Sequence, residues 1–195
     1  MKKNKVQKIE RKKEKGLLKV DLACGQNKQP GFIGVDFAKA PGVDIVHDLN
    51  KFPWPFKDNE VDEVFISHYI EHIPLDTPKG DGLILFMNEL YRIMKPGAKC
   101  MIVGPYYTSM RCWQDPTHRR AMSEAMFLYY NADWRKANRL DHYPITADFD
   151  YGYGYVMAPD WNGKNDDMKH FGIRHYNNVV SDIQVTLTKR VLEKK

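Results

Sequence analysis

Lys19-Val20-Asp21-Leu22-Ala23-Cys24-Gly25-Gln26-Asn27-Lys28-Gln29-Pro30-Gly31-Phe32-Ile33-Gly34-Val35-Asp36 is the most informative segment of this chain. An apolar run (Leu17, Leu18, Val20, Leu22) opens into a small-residue turn at Ala23-Cys24-Gly25. A second apolar run (Phe32, Ile33, Val35) then ends on the acid Asp36. Strand, tight turn, strand and carboxylate, in that order, hold nucleotide-like ligands at the carboxyl edge of a parallel sheet. The pattern also suits an ordinary strand–turn–strand ending in a surface acid.

The spacing narrows the ligand. A dinucleotide site needs a G-x-G-x-x-G turn feeding a full helix, whose N-terminus binds the pyrophosphate, and its ribose-binding acid lies about 20 residues on. Here Asp36 lies 11 residues beyond Gly25, and Pro30-Gly31 interrupts the interval, so a long helix does not fit. Ala23 and Gly25 are followed by Asn27, so the glycine pattern is incomplete as well. A ligand with a ribose but no phosphates has no need of that helix, and S-adenosylmethionine is one.

Working outward, Val43–Leu49 reads as a third short strand ending near another acid, Asp48, and Lys51–Phe56 as an aromatic and proline loop. Val61–Ser67 is a fourth strand, with a helical region beginning at His68–His72. Apolar residues at 83, 86, 87, 90, 93 and 94 give helix spacing over Leu83–Met94, Lys95-Pro96-Gly97 terminates it, and Cys100–Val103 is a fifth strand. The alternation predicts a parallel sheet with covering helices. Beyond Gly104 the chain turns aromatic and basic, with a short helix expected over Ser123–Tyr130 and strands over Asp148–Met157 and Val179–Leu187, separated by a polar loop at 160–167.

A length of 195 residues suits one domain, here 16–195, preceded by a basic arm at 1–15. The arm holds eight basic residues against two acids, a balance of +6. The chain's net charge is +5, so the rest carries −1, which argues against a phosphate-backbone footprint on the globular part. The arm reads as a solvated tail, and nucleic-acid docking through it is the less favoured reading. No apolar stretch reaches a membrane span, and three cysteines without paired spacing suggest reduced thiols and a cytoplasmic protein.

With these elements placed, the chain resembles class I S-adenosylmethionine-dependent methyltransferases, in the small methyltransferase-domain branch with a shortened first helix. The resemblance covers roughly residues 17–130 and rests on collinear motifs. These are Val20–Gly25, Gly34–Asp36, His47–Leu49, Phe52–Phe56, Val61–Val64, Ser67–His72, Leu90–Gly97 and Asp115–His118. It implies a Rossmann-like α/β fold with a mostly parallel seven-stranded sheet, order 3-2-1-4-5-7-6, the last strand antiparallel and helices on both faces. It further implies that Asp21, Ala23 and Gly25 line the methionine and ribose end and that Asp36 accepts both ribose hydroxyls. Asp48 and Leu49 would meet the adenine, and Ser67 would lie beside the methyl-bearing end. Ala23 stands where the family usually has glycine, and Asn27 where a later glycine is common.

Such a cofactor carries its own electrophile, so the protein must align a nucleophile and exclude water. An O or N acceptor, expected to be a small molecule held by residues 105–170, also needs a base. His68, His72 and His118 are candidates because imidazole titrates near working pH. Tyr106 is a further candidate catalytic residue in the aromatic segment after the fifth strand, where Tyr107 and Trp113 suit a lid or a sulfonium contact. No metal is assigned. His68-Tyr69-Ile70-Glu71-His72 nevertheless spells H-x-x-E-H, an inverted zinc-peptidase motif, so zinc hydrolysis through His68, Glu71 and His72 is a rival reading. A cofactor-binding module without turnover is another. Gly104-Pro105-Tyr106-Tyr107 lacks the context of the Pro-Pro-Tyr motif of DNA amino-methylating enzymes, which disfavours base flipping.

Overall fold

The computed structural model describes residues 16–191, so the expectation for the basic arm lies outside the described residues. The first strands are β1 (Lys19–Leu22), β2 (Ile33–Asp36), β3 (Ile45–Val46) and β4 (Val61–Ser67). Helix α1 (Gly82–Ile93) leads into β5 (Met94–Pro105). Short helices α2 (Met110–Gln114) and α3 (Ala132–Ala137) precede β6 (Phe149–Met157), and α4 (Asp166–His175) precedes β7 (Val180–Lys189). The strands form one seven-stranded sheet in the order 3-2-1-4-5-7-6. β1 to β5 pair in parallel, and β7 runs antiparallel to both β5 and β6.

Burial alternates along the central strands, so one face of the sheet carries the core while Lys99 and Met101 of β5 stay exposed on the other. The register stacks Val20, Leu22, Val35, Val64, Ile66, Cys100, Ile102, Val185 and Leu187 in the core, all fully buried or nearly so. α1 begins where Asp81 Oδ1 accepts from the Leu83 and Ile84 amides at 2.8 and 3.0 Å, an N-cap that satisfies two orphan donors. Its 3.6-residue stripe buries Leu83, Phe86, Met87, Leu90 and Ile93, and each large apolar side chain so buried contributes about 1.5–3 kcal/mol. Glu89 on the same helix accepts from the Trp54 amide at 2.6 Å and from Arg92 Nη2 at 2.6 Å, which ties the aromatic loop to the helix. The buried Lys189 donates to Asn59 Oδ1, Tyr91 O and Met94 O, fastening the end of β7 to the end of α1.

Several boundaries differ from the sequence reading. β3 is two residues rather than seven, although His47 N donates to Asp36 O and extends the contact. Lys95-Pro96-Gly97 does not follow a helix ending at 94. β5 begins at Met94, and these residues form a bulge opposite β4, with Gly97 at φ 79°. The expected helix at 123–130 is a 3₁₀ segment, Glu124–Tyr130, and His68–His72 becomes a 3₁₀ turn, Ile70–His72, instead of an α-helix. Within the loop read at 160–167, Asn165 Oδ1 accepts from Met168 N and caps α4. Among the described residues no α-helix precedes Gly82, so the β1–β2 connection is a loop, as its proline and glycine predict.

Candidate active site

The loops at the carboxyl ends of β1, β2 and β4 surround two adjoining cavities that share Ala23 and His68. One, of about 430 Å³, is lined by Ala23, Asp36, Phe37, Asp48, Leu49, Asn50, His68, Tyr69 and His72. The other, of about 370 Å³, takes in Asp21, Gly25, Asn27, Gln29, Phe65 and Ser67. All seven residues expected at the cofactor therefore lie on these cavities. The spacing argument missed Phe37, Asn50, Tyr69, Gln29 and Phe65. Each is a near neighbour of an assigned residue along the chain or along a strand, and that adjacency was the available signal.

Carboxylates fix the shape of the loops. Asp36 Oδ2 accepts from Gly25 N at 2.9 Å and Oδ1 from Ala38 N at 3.2 Å. Each oxygen keeps a lone pair, so the pair remains able to accept two vicinal hydroxyls. Asp21 Oδ2 accepts from Gln29 N at 2.8 Å; burial raises its pKa, against the pull of that bond and of Lys28. Burial opposes ionisation of Asp48, but hydrogen bonds from the Asn50 amide and side chain, together with Lys51, hold its carboxyl below the usual range. Cys24 is pushed up to about 11 by burial and the nearby charges of Asp21 and Asp36.

Backbone geometry explains the residue types in the turn. Ala23 and Gly25 both adopt left-handed conformations, at φ 58° and 51°. That region is open to glycine and costs an alanine about 1–2 kcal/mol. A Cβ on Gly34 would stand 2.5 Å from Gly42 O and 2.7 Å from Cys24 Sγ, so β2 can approach the turn only as glycine.

The candidate catalytic residues separate. His68, at φ 52° just beyond β4, lines both cofactor cavities. Its Nδ1 lies 3.3 Å from Glu71 Oε1, and this contact, against burial, raises the imidazole's pKa. His72 lies at the junction between the larger cofactor cavity and a third space of about 420 Å³ lined by His72, Pro74, Leu75, Thr117 and Arg119. His118 packs edge-on against His72, ring centroids 4.7 Å apart, because the Arg119 amide donates to Glu71 O and docks its segment on the 70–72 turn. Tyr106 is 1% exposed and lines neither cofactor cavity. Burial and its contacts with Glu124 and Tyr155 raise the phenol's pKa strongly. Tyr107 and Trp113 line a separate space with Met110 and Asn178 and are not among the residues lining the two cavities above. The H-x-x-E-H reading loses its geometric basis, because the α-helix that would align His68 with His72 is absent.

A methyltransferase-domain family model matches residues 26–102. A search of curated proteins found no match. Among solved structures, an S-adenosylmethionine-dependent methyltransferase from Archaeoglobus fulgidus is similar at 19% identity and TM-score 0.61, covering 90% of this chain and 87% of that one. A chain of the complex between the Haloferax volcanii Trm112 methyltransferase activator and a methyltransferase is similar at 16% identity and TM-score 0.55, with 92% and 85% covered. The Burkholderia thailandensis 1,6-didemethyltoxoflavin-N1-methyltransferase, solved with 1,6-didemethyltoxoflavin and S-adenosylhomocysteine, follows at 10% identity and TM-score 0.52, with 89% and 71% covered. By its sheet order and this family match over residues 26–102, the chain is similar to the class I S-adenosylmethionine-dependent methyltransferases and shares their fold, with S-adenosylmethionine as the cofactor this similarity supports.

Proposed function

We propose that this protein transfers the cofactor's methyl group to an O or N atom of a small-molecule acceptor. The observation that carries the reading is the third space beside the cofactor cavity. It has room for a small molecule, about 420 Å³, and joins the cofactor cavity at His72. The globular part's near-neutral charge supports a small acceptor over a nucleic-acid duplex. Asp36 accepts the ribose hydroxyls, Asp48 and Leu49 flank the adenine, and Asp21, Gly25 and Ser67 border the methionine end. His68, which borders the two cavities at the β1, β2 and β4 loops, takes the proton of an acceptor that reaches in past His72, and Glu71 stabilises the imidazolium that results. Three free, buried cysteines suit a reducing compartment, in keeping with a cytoplasmic location.

The test is incubation with methyl-labelled cofactor and panels of hydroxylated and amino-bearing small molecules, alongside duplex DNA and RNA. Label is expected in a small-molecule fraction. His68→Gln should lower transfer by about 10²-fold or more while the cofactor still binds. Label confined to nucleic acid overturns the acceptor class. Cofactor binding without transfer to any acceptor makes the chain a binding module.

A further inference from the structure

We propose that Glu71, His72 and His118 form a binding site for a divalent first-row transition metal, zinc foremost. The site adjoins the larger cavity through His72 and shares Glu71 with His68, but its test does not depend on methyl transfer. One ligand atom from each of the three residues lies within 4.8 Å of the others, and His68 is not part of the group.

The carboxylate supplies the strongest argument. Glu71 is 0% exposed, and neither of its oxygens has a hydrogen-bond partner. A buried carboxylate without donors is costly unless a cation meets it. His68 Nδ1, at 3.3 Å from Oε1, is the nearest candidate within the chain, but it makes no aligned hydrogen bond and leaves Oε2 without a partner. Gly104 leaves room for this carboxylate, since a Cβ there would stand 3.3 Å from Oε2.

The imidazoles are prepared for ligation in the same direction. His118 Nδ1 lies 2.8 Å from Cys112 O, and a carbonyl only accepts, so Nδ1 carries the proton. Thr117 Oγ1 donates to Asp115 Oδ1 at 2.7 Å, so its 3.0 Å contact with His72 Nδ1 is one in which the imidazole donates. In both rings the neutral form therefore leaves a lone pair on Nε2. Orientation of a ligating histidine by a carbonyl, or by a hydroxyl backed by a carboxylate, is the usual support of a metal site. Asp115 Oδ2 lies 3.9 Å from His118 Nε2 and adds negative charge, whereas Arg119, which lines the adjoining space, adds a positive one. Two imidazoles and one carboxylate suit zinc and its neighbours rather than calcium or magnesium, which prefer all-oxygen shells. Three protein ligands leave a position open to water or an oxygen donor, toward the space that His72 and Thr117 line.

The experiment uses the full chain without a histidine tag, stripped with chelator and dialysed separately against zinc, cobalt(II), manganese(II) and iron(II). Elemental analysis should find about one zinc per chain, and cobalt should give the visible spectrum of a nitrogen- and oxygen-ligated site. Thr117→Val, which keeps all three ligands, should weaken zinc about 10-fold or more, and His118→Ala should weaken it further. Circular dichroism confirms that both variants are folded. Retention of less than about a tenth of an equivalent of every metal would overturn the site, as would equal zinc affinity in wild type, Thr117→Val and His118→Ala. Because no cofactor is present, failure here is distinct from failure of methyl transfer.

Discussion

The two halves of the molecule achieve order by different means. In the cofactor half, the loops after β1, β2 and β3 are held by carboxylates accepting backbone amides: Asp21 from Gln29, Asp36 from Gly25 and Ala38, Asp44 from Gly34, Asp48 from Asn50. Beyond β5 the short elements are stitched by long side chains that collect carbonyls or amides. The buried Arg135 donates to Tyr129 O, Ala147 O and Ile145 O, and Asn88 Oδ1 accepts from the Thr146 and Ala147 amides. Large apolar side chains stay exposed there, among them Met110, Trp113, Tyr153 and Phe171. A cofactor that does not vary rewards loops set before it arrives. Under the proposed function, the segment beyond β5 that meets the acceptor is free to keep a firm frame and vary its surface.

The contrast can be broken by substitution. The largest expected effect is at the close approach of β2 to the turn. Gly34→Val drives methyls into Gly42 O and Cys24 Sγ and should lower unfolding free energy by about 1–3 kcal/mol in urea titration, with cofactor binding lost alongside. Ala23→Gly relieves the left-handed alanine. A glycine loses about 0.5–1 kcal/mol of that gain to unfolded-chain entropy, so a net stabilisation of up to about 1.5 kcal/mol is expected, read as a raised urea midpoint. At an ordinary position the same exchange destabilises. Smallest is Trp113→Ala. The side chain is 71% exposed, so stability should move by less than about 0.5 kcal/mol and cofactor affinity should stay as in wild type. A drop in cofactor affinity there would erase the distinction between the halves.

Legibility in the sequence follows the same division. The missing first helix was readable because it is local: 11 residues interrupted by Pro30 and Gly31 leave no room for it. The sheet order came with the resemblance, and the apolar runs placed five of the seven strands near their observed bounds, β3 being shorter and β5 longer than read. The contact of His118 with His72 was not readable, since the two lie 46 residues apart and meet through the backbone of Arg119 on Glu71. Tyr106, a catalytic candidate in the sequence, is carried into the core, where its segment bridges Met122. The H-x-x-E-H spelling misled for a related reason. Spacing presumes a helix, and the left-handed backbone at His68 prevents one.

Asp36 is where the account is most exposed to refutation. Calorimetric titration with S-adenosylmethionine and S-adenosylhomocysteine should be run on wild type, Asp36→Ala and Asp36→Asn, with melting curves to confirm folding. Each lost bond between a ribose hydroxyl and this charged acceptor should cost about 1.5–3 kcal/mol, so both variants should bind both ligands at least about tenfold more weakly. Wild-type affinity in a folded Asp36→Asn protein would contradict the assignment of this carboxylate to the ribose and, with it, the reading of the cavity.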